Sequence, residues 1–333
     1  MVRPGVLSTL QDLGRFGLQH LGIVPGGAMD PVSHRIANAL VGNPSQAATL
    51  ECTVLGPELI FGRDTLVALY GAACQAKAGG QPLPLNRPVL LAAGSTLAVG
   101  AAVRGARAYL AVAGGFQVAA VLGSRSTYLP AGFGGLSGRA IKAGDRLATL
   151  EDLDRVSRAR FERVAKGKAA VGADFRALRW SAPELTLPFE AGYAARAMPG
   201  RHYEQFDAAS REAFYGEVWR VSTDSNRMGY RLSGPRLTRE KAVEILSEPT
   251  CLGTVQVPND GTPIALMADH QTTGGYPKIA EIAGADIASL AQLAPGGSVR
   301  FVKCTLQEAQ AARQAATERL RVVLRGIEWE YGG

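Results

Sequence analysis

Pro88-Val89-Leu90-Leu91-Ala92-Ala93-Gly94-Ser95-Thr96-Leu97-Ala98-Val99-Gly100 holds two apolar runs, Val89–Ala92 and Thr96–Val99, on either side of a Gly-Ser turn. Runs of this length bounded by turn residues read as short buried strands, because a helix would need more than ten residues of 3.6-residue periodicity. The same pattern recurs outward along the chain, at Leu59–Phe61, Thr65–Tyr70, Ala108–Ala113, Val218–Ser222, Thr254–Val257, Ile264–Met267 and Val299–Val302. The sequence therefore predicts a mainly β protein. Gly94-Ser95-Thr96-Leu97, Gly144-Asp145-Arg146-Leu147 and Gly296-Gly297-Ser298-Val299 share one kind of turn and are expected to be related barrel-edge hairpins.

Two helices interrupt the strands. Asp30 as N-cap, Pro31 at the first helical position and Gly42 just past the end predict one over 31–41, with Ile36, Ala37, Leu40 and Val41 facing the core. Thr305-Leu306-Gln307-Glu308 has capping-box spacing and predicts a C-terminal helix over 306–326. The charged stretch 151–170 reads as a solvated linker helix dividing the chain. Two β-rich subdomains are thus expected, 1–150 and 171–305.

With 333 residues, 47% hydrophobic and 20% charged, the chain is long enough to bury a sizeable core, and a disordered or fibrous protein is excluded. Forty glycines and 18 prolines without a G-X-Y period supply the turns. Pro88–Val103 and Ala108–Ser124 are uncharged, but fall short of the roughly 20 residues that span a bilayer. No membrane segment is expected, and the opening Met1-Val2-Arg3-Pro4-Gly5 lacks a leader's apolar region, so a cytoplasmic protein is expected. The net charge of +7 is scattered, without finger spacing, RNP-like strand or dense basic run, which argues against nucleic acid. Cys52, Cys74, Cys251 and Cys304 are far apart and read as buried reduced thiols.

Familiar catalytic signatures are missing. There is no G-x-x-x-x-G-K-[ST], no G-x-S-x-G and no H-E-x-x-H, and Gly132–Gly138 lacks both G-x-G-x-x-G spacing and a following helix. No metal site is expected. Four polar clusters in turn-rich sequence stand out instead: Thr9–Arg15, Leu122–Tyr128, Asp224–Leu232 and Asp269–Lys278. In the second, an arginine fork and two hydroxyls suit a carboxylate or phosphate. The fourth, with Gly274-Gly275, Gln271, Thr272, Thr273 and Tyr276, offers neutral donors and close backbone approach to an amide or carboxylate. Against each stands the reading that such side chains merely satisfy turn backbones. His270 reads as a hydrogen-bonded turn histidine before a general base.

These clusters also carry a resemblance. Thr9–Arg15, Gly26-Gly27-Ala28-Met29-Asp30, Ala37–Asn43, Gly123–Tyr128, Ser225-Asn226-Arg227-Met228-Gly229 and Gln271–Pro277 resemble the KipA family. It is also called the allophanate hydrolase subunit 2 or biotin-dependent carboxyltransferase-like family and includes the C subunit of 5-oxoprolinase. The likeness runs in order from about residue 4 to 305 and is weakest over 151–215, where a partner-specific surface is expected.

The resemblance implies cyclophilin-like barrels and a protein working beside a KipI-type subunit and a LamB-type subunit, with ATP as a substrate of the complex, in opening 5-oxoproline to glutamate. A lactam resists hydrolysis, so ATP activates its oxygen and cationic donors must stabilise the transferring phosphoryl group. Arg227 and Lys278 are the candidates for that charge work, with Asn226, Gln271, Thr272, Thr273, Gly275 and Tyr276 binding substrate, joined by Arg125 and Tyr128. The fourth cluster is expected to face one pocket with Ser225-Asn226-Arg227. The alternatives are a carboxyltransferase that takes carboxylated biotin from another polypeptide and acts on urea or another small amide, and a KipI-binding protein that antagonises a kinase inhibitor.

Overall fold

The computed structural model describes residues 1–166, 170–172, 175–186, 193–240 and 245–332. The chain divides into two compact units, Met1–Arg15 with Asp30–Leu187 and Leu320–Gly333, and Phe16–Met29 with Pro188–Arg319.

The first unit is built on a seven-stranded antiparallel sheet in the order Leu7–Gln11, Thr49–Thr53, Ala102–Val112, Thr65–Cys74, Pro88–Leu91, Phe175–Ala177, Ala170–Gly172. A smaller sheet joins Glu58–Ile60, Thr96–Ala98, Lys77–Ala78 and Gln81–Pro82. Helix α1 (Pro31–Val41) packs on Thr65–Cys74 and Ala102–Val112. Residues 65–72 are therefore buried on both faces, which is why their sequence is apolar without alternation. The capping signals of α1 operate as read: Asp30 Oδ1 accepts from Val32 N at 3.1 Å and Ser33 N at 2.9 Å, and Gly42 closes the helix at φ 85°.

The second unit is a closed seven-stranded barrel: Tyr193–Pro199, Lys278–Ile282, Thr254–Gln256, Ile264–Leu266, Gly229–Ser233, Val218–Val221 and Ser298–Lys303, the last pairing in parallel with the first to close the ring. Its core gathers Trp219, Tyr230, Val255, Ile279 and Phe301, together with Met29 from the N-terminal segment. Phe214 stacks on Phe301, with ring centroids 4.7 Å apart.

The mainly β architecture and both helices stand as expected, and the capping box is formed: Thr305 N donates to Glu308 Oε2 at 2.7 Å and Glu308 N to Thr305 Oγ1 at 3.2 Å. Several details differ. The C-terminal helix runs further, Leu306–Gly332. Residues 151–170 hold a helix, Arg155–Lys166, but it is not solvated all round, since Ser157, Arg160 and Val164 are buried in the first unit. The first sheet continues past the expected boundary, because Phe175 and Ala177 find Leu91 and Val89 as register partners. The three glycine turns are not hairpins. Gly94 links strands of different sheets, Gly296 precedes Ser298–Lys303 after a helix, and Gly144 N donates to Met1 O at 2.9 Å. Cys52 and Cys304 are buried as expected, Cys74 is half-buried and Cys251 is exposed. Among the described residues no helix is long and apolar enough to cross a membrane.

Candidate functional site

The first two polar clusters meet in the first unit. The Asp12 carboxylate, 5% exposed, accepts from Ser124 Oγ and Ser126 Oγ, both at 2.5 Å, Arg125 N at 2.6 Å and Gly14 N at 2.8 Å. The hydroxyls that suit a carboxylate thus hold one supplied by the chain itself. Arg125 sends its side chain outward, while Tyr128 packs on Phe133 at 5.4 Å. Gly134 and Gly135 sit against Ser126 and Thr127: a Cβ on Gly134 would stand 2.1 Å from Ser126 O, and one on Gly135 would collide with Thr127 Oγ1. That crowding accounts for Gly134 and Gly135. A second buried network, not singled out by sequence, joins Tyr109 Oη to Glu51 Oε2 at 2.8 Å and His34 Nδ1 to Thr49 Oγ1 at 2.9 Å.

The other two clusters lie in the second unit. Arg227, 4% exposed, grips Asp269 with Nε on Oδ2 at 2.8 Å and Nη2 on Oδ1 at 3.0 Å, and Nη2 also donates to Gly27 O at 2.6 Å. Backbone bonds from Asp269 N to Arg227 O and Met267 N to Met228 O run beside it, so this cation fastens two loops and the Gly27 segment together. Asn226 is exposed and caps its own turn, accepting from Met228 N at 2.8 Å.

Lys278 opens the barrel strand Lys278–Ile282, next to a register irregularity opposite Val255 and Gln256. Its ammonium is almost wholly buried, 2.8 Å from Glu248 Oε1 and 2.5 Å from Pro249 O. The other Glu248 oxygen lies 3.0 Å from Arg201 Nη1, and the Lys278 ammonium holds this carboxylate below the usual range. His202 is fixed by the same strand: its N donates to Lys278 O at 3.0 Å, and its Nδ1 accepts from Lys278 N at 3.2 Å. With Nδ1 accepting, the neutral form of the ring carries its proton on Nε2, 3.8 Å from Glu248 Oε1, and burial lowers the ring's pKa. Sequence reasoning missed Glu248, Arg201 and His202. A lone carboxylate and a lone Arg-His pair carry no spacing signal, since the pairing of Glu248–Pro249 with Thr273–Gly274 and of Tyr193–Pro199 with Lys278–Ile282 is what brings them to Lys278.

Around this centre, Gln271 Nε2 donates to Gln256 Oε1 at 3.1 Å, and Gln271 O accepts from Thr250 Oγ1 and lies 2.7 Å from His270 Nδ1. His270 is a buried, hydrogen-bonded turn histidine whose pKa burial lowers. Thr272 O takes Thr250 N, whereas Thr273 and Tyr276 are exposed. A cavity of about 590 Å³ opens beside Gly275, Tyr276 and Pro277, walled by Phe206, Val257 and Asn259 and including Thr238 and Arg239. Neither Asn226 nor Arg227 lines it, nor do Gln271, Thr272 and Thr273, nor Lys278 with its partners Glu248 and His202. The two loops are instead bound to each other through Arg227 and Asp269.

A buried lysine is thus shared between a carboxylate and a carbonyl, with a buried imidazole 3.8 Å from the same carboxylate, and a fixed positive charge of this kind can stabilise an oxygen that becomes negative.

The fold is that of a carboxyltransferase domain. The family described as carboxyltransferase domain, subdomain A and B, matches residues 21–303, and the chain belongs to it. Among its relatives, the 5-oxoprolinase C subunit of Escherichia coli (strain K12) is 42% identical over 94% of this chain and 94% of that protein. The protein of the same description from Haemophilus influenzae is 35% identical over 92% of this chain and 91% of its own length. Among solved structures, the Kluyveromyces lactis urea carboxylase superposes with a TM-score of 0.84 at 28% identity, over 97% of this chain. TTHA0988 does so with a TM-score of 0.73 at 35% identity, over 90%. The chain spans 29% of that urea carboxylase and 54% of TTHA0988.

Proposed function

We infer that this chain is the carboxyltransferase-type subunit of an ATP-dependent 5-oxoprolinase, acting with a KipI-type and a LamB-type subunit to open 5-oxo-L-proline to L-glutamate. The observation that carries the reading is the 42% identity to a 5-oxoprolinase C subunit over 94% of both chains. In it, Lys278 supplies positive charge to the activated amide oxygen and Glu248 and His202 hold that lysine, while Gly275 and Tyr276 border the adjoining cavity, which Pro277 lines but Lys278 does not. Arg227 positions the loops through Asp269. ATP is a substrate of the complex.

Reconstituted with the other two subunits, the chain supports glutamate formation that needs both ATP and 5-oxoproline. Lys278→Met lowers kcat by two orders of magnitude or more, in the range of losing one transition-state donor, about 10²–10³. No product at saturating substrate with all subunits present removes the reading.

A second reading has one observation in its favour, the higher TM-score to urea carboxylase, 0.84 against 0.73. In it the chain moves a carboxyl group from biotin on another polypeptide to a small amide, since no Met-Lys attachment pair occurs in this sequence. Transfer from a carboxylated biotin carrier to urea, in the absence of 5-oxoproline, distinguishes it.

A further inference from the structure

Both acceptors of the Lys278 ammonium group, Glu248 Oε1 at 2.8 Å and Pro249 O at 2.5 Å, belong to one two-residue strand, Glu248–Pro249. It pairs with Thr273–Gly274, with Glu248 opposite Gly274 and Pro249 opposite Thr273. One further bond lengthens this ribbon, from Thr250 N to Thr272 O at 3.0 Å. Strands of two residues are too short to hold a position by themselves. The depth at which they present Glu248 and Pro249 to Lys278 is therefore set by what the ribbon rests on.

It rests on Gln256. A Cβ built on Gly274 would stand 2.6 Å from Gln256 Nε2, 3.3 Å from Gln271 Nε2 and 3.4 Å from Gln256 Cδ. The space that a side chain at 274 would need is thus filled by two glutamine amides. Those amides are joined, with Gln271 Nε2 donating to Gln256 Oε1 at 3.1 Å, and Gln256 is 2% exposed, which leaves it little room to swing aside. Gln256 is in turn the cross-strand partner of Lys278, beside the register shift between Val255 and Gln256. Opposed residues of neighbouring strands project from the same face. The contacts close a circuit: Lys278 to Glu248 and Pro249, these to Gly274 and Thr273, Gly274 to Gln256, and Gln256 back to Lys278.

We propose that Gly274 and Gln256 are positioning residues for Lys278. The missing side chain at 274 lets the ribbon settle on the Gln256 amide, at the depth where Glu248 and Pro249 hold the ammonium group. Gly274 thereby differs from its neighbour Gly275, which borders the cavity. The catalytic consequence rests on the role proposed above for Lys278; the contact circuit does not.

Hydrogen–deuterium exchange of the full chain, measured by mass spectrometry, and kinetics of the reconstituted complex test this on Gly274→Ala, Gln256→Ala and the double variant. Gly274→Ala is expected to speed exchange across residues 247–250 and 272–274 by about tenfold or more, while the barrel strand Ser298–Lys303 keeps wild-type protection. Gln256→Ala provides the same measurement if Gly274→Ala does not fold. In the complex, kcat should fall about tenfold or more with KM within about twofold of wild type, since a displacement on the order of 1 Å costs up to about 10²-fold. The double variant, whose new Cβ enters the space left by the amide, should lose less than the two single losses combined. Added to Lys278→Met, Gly274→Ala should cost nothing more, which a merely structural effect would not reproduce. Unchanged ribbon exchange in both single variants overturns the proposal, as does full kcat in both, or a loss that persists undiminished in the Lys278→Met background. An inactive wild-type complex removes the role of Lys278 instead, and the exchange result still decides whether the ribbon rests on Gln256.

Discussion

Replacing Arg227 by Met tests whether this cation is a structural tie. The change deletes at least three hydrogen bonds, two to Asp269 at 2.8 and 3.0 Å and one to Gly27 O at 2.6 Å. It also strands the Asp269 carboxylate, whose side chain is 2% exposed. Breaking a buried pair from one side costs about 3–5 kcal/mol, because the remaining charge has neither water nor counter-ion. At about 2–4 °C per kcal/mol for a folding unit of 150–250 residues, Tm should fall by roughly 6–20 °C. The double variant Arg227→Met/Asp269→Leu removes both charges and leaves mainly the Gly27 carbonyl unpaired, a cost of about 1–3 kcal/mol, so it should be more stable than the single variant. Urea and thermal unfolding followed by circular dichroism measure both. If the single variant loses less than about 1 kcal/mol, or the double variant is no more stable than the single, the structural account of Arg227 is wrong.

Gly275 has no left-handed φ, and a Cβ there would stand 3.1 Å from Ile245 O, at the edge of the 590 Å³ cavity. Gly275→Val should therefore cost only about 1 kcal/mol in unfolding while sharply lowering activity of the reconstituted complex; equal losses in both would refute this. Burial lowers the His34 pKa from 6.5 to about 4. The unfolded chain thus takes up a proton that the folded chain refuses, and stability present above pH 6.5 is lost as pH falls towards 4, with a slope approaching about 1.4 kcal/mol per pH unit. His34→Gln should flatten that slope in pH-dependent urea unfolding. Asp12→Asn puts an NH₂ group among four donors and should destabilise the first unit by more than about 2 kcal/mol, read as a fall in urea midpoint without a change in m-value.

The features legible in the sequence rest on contacts a few residues long. Asp30 caps Val32 and Ser33, Thr305 and Glu308 satisfy each other, and Gly42 ends α1, all through groups within one helical turn. The alternation of short apolar runs and glycine turns likewise marked the β class, because backbone hydrogen bonding and apolar burial act on every window of the chain. What each polar cluster does depended on partners that local pattern cannot name. Asp12 meets Ser124 and Ser126 across 112 and 114 residues, turning an apparent anion grip into a closed one. Arg227 meets Asp269 across 42 residues, and that pairing makes a candidate catalytic cation into a fastening. Lys278 likewise acquires Glu248 and His202 only through long-range strand pairing, across 30 and 76 residues. A charged side chain carries the same chemistry in any sequence; whether it is neutralised, held or available is set by the opposite charge that the tertiary fold delivers to it.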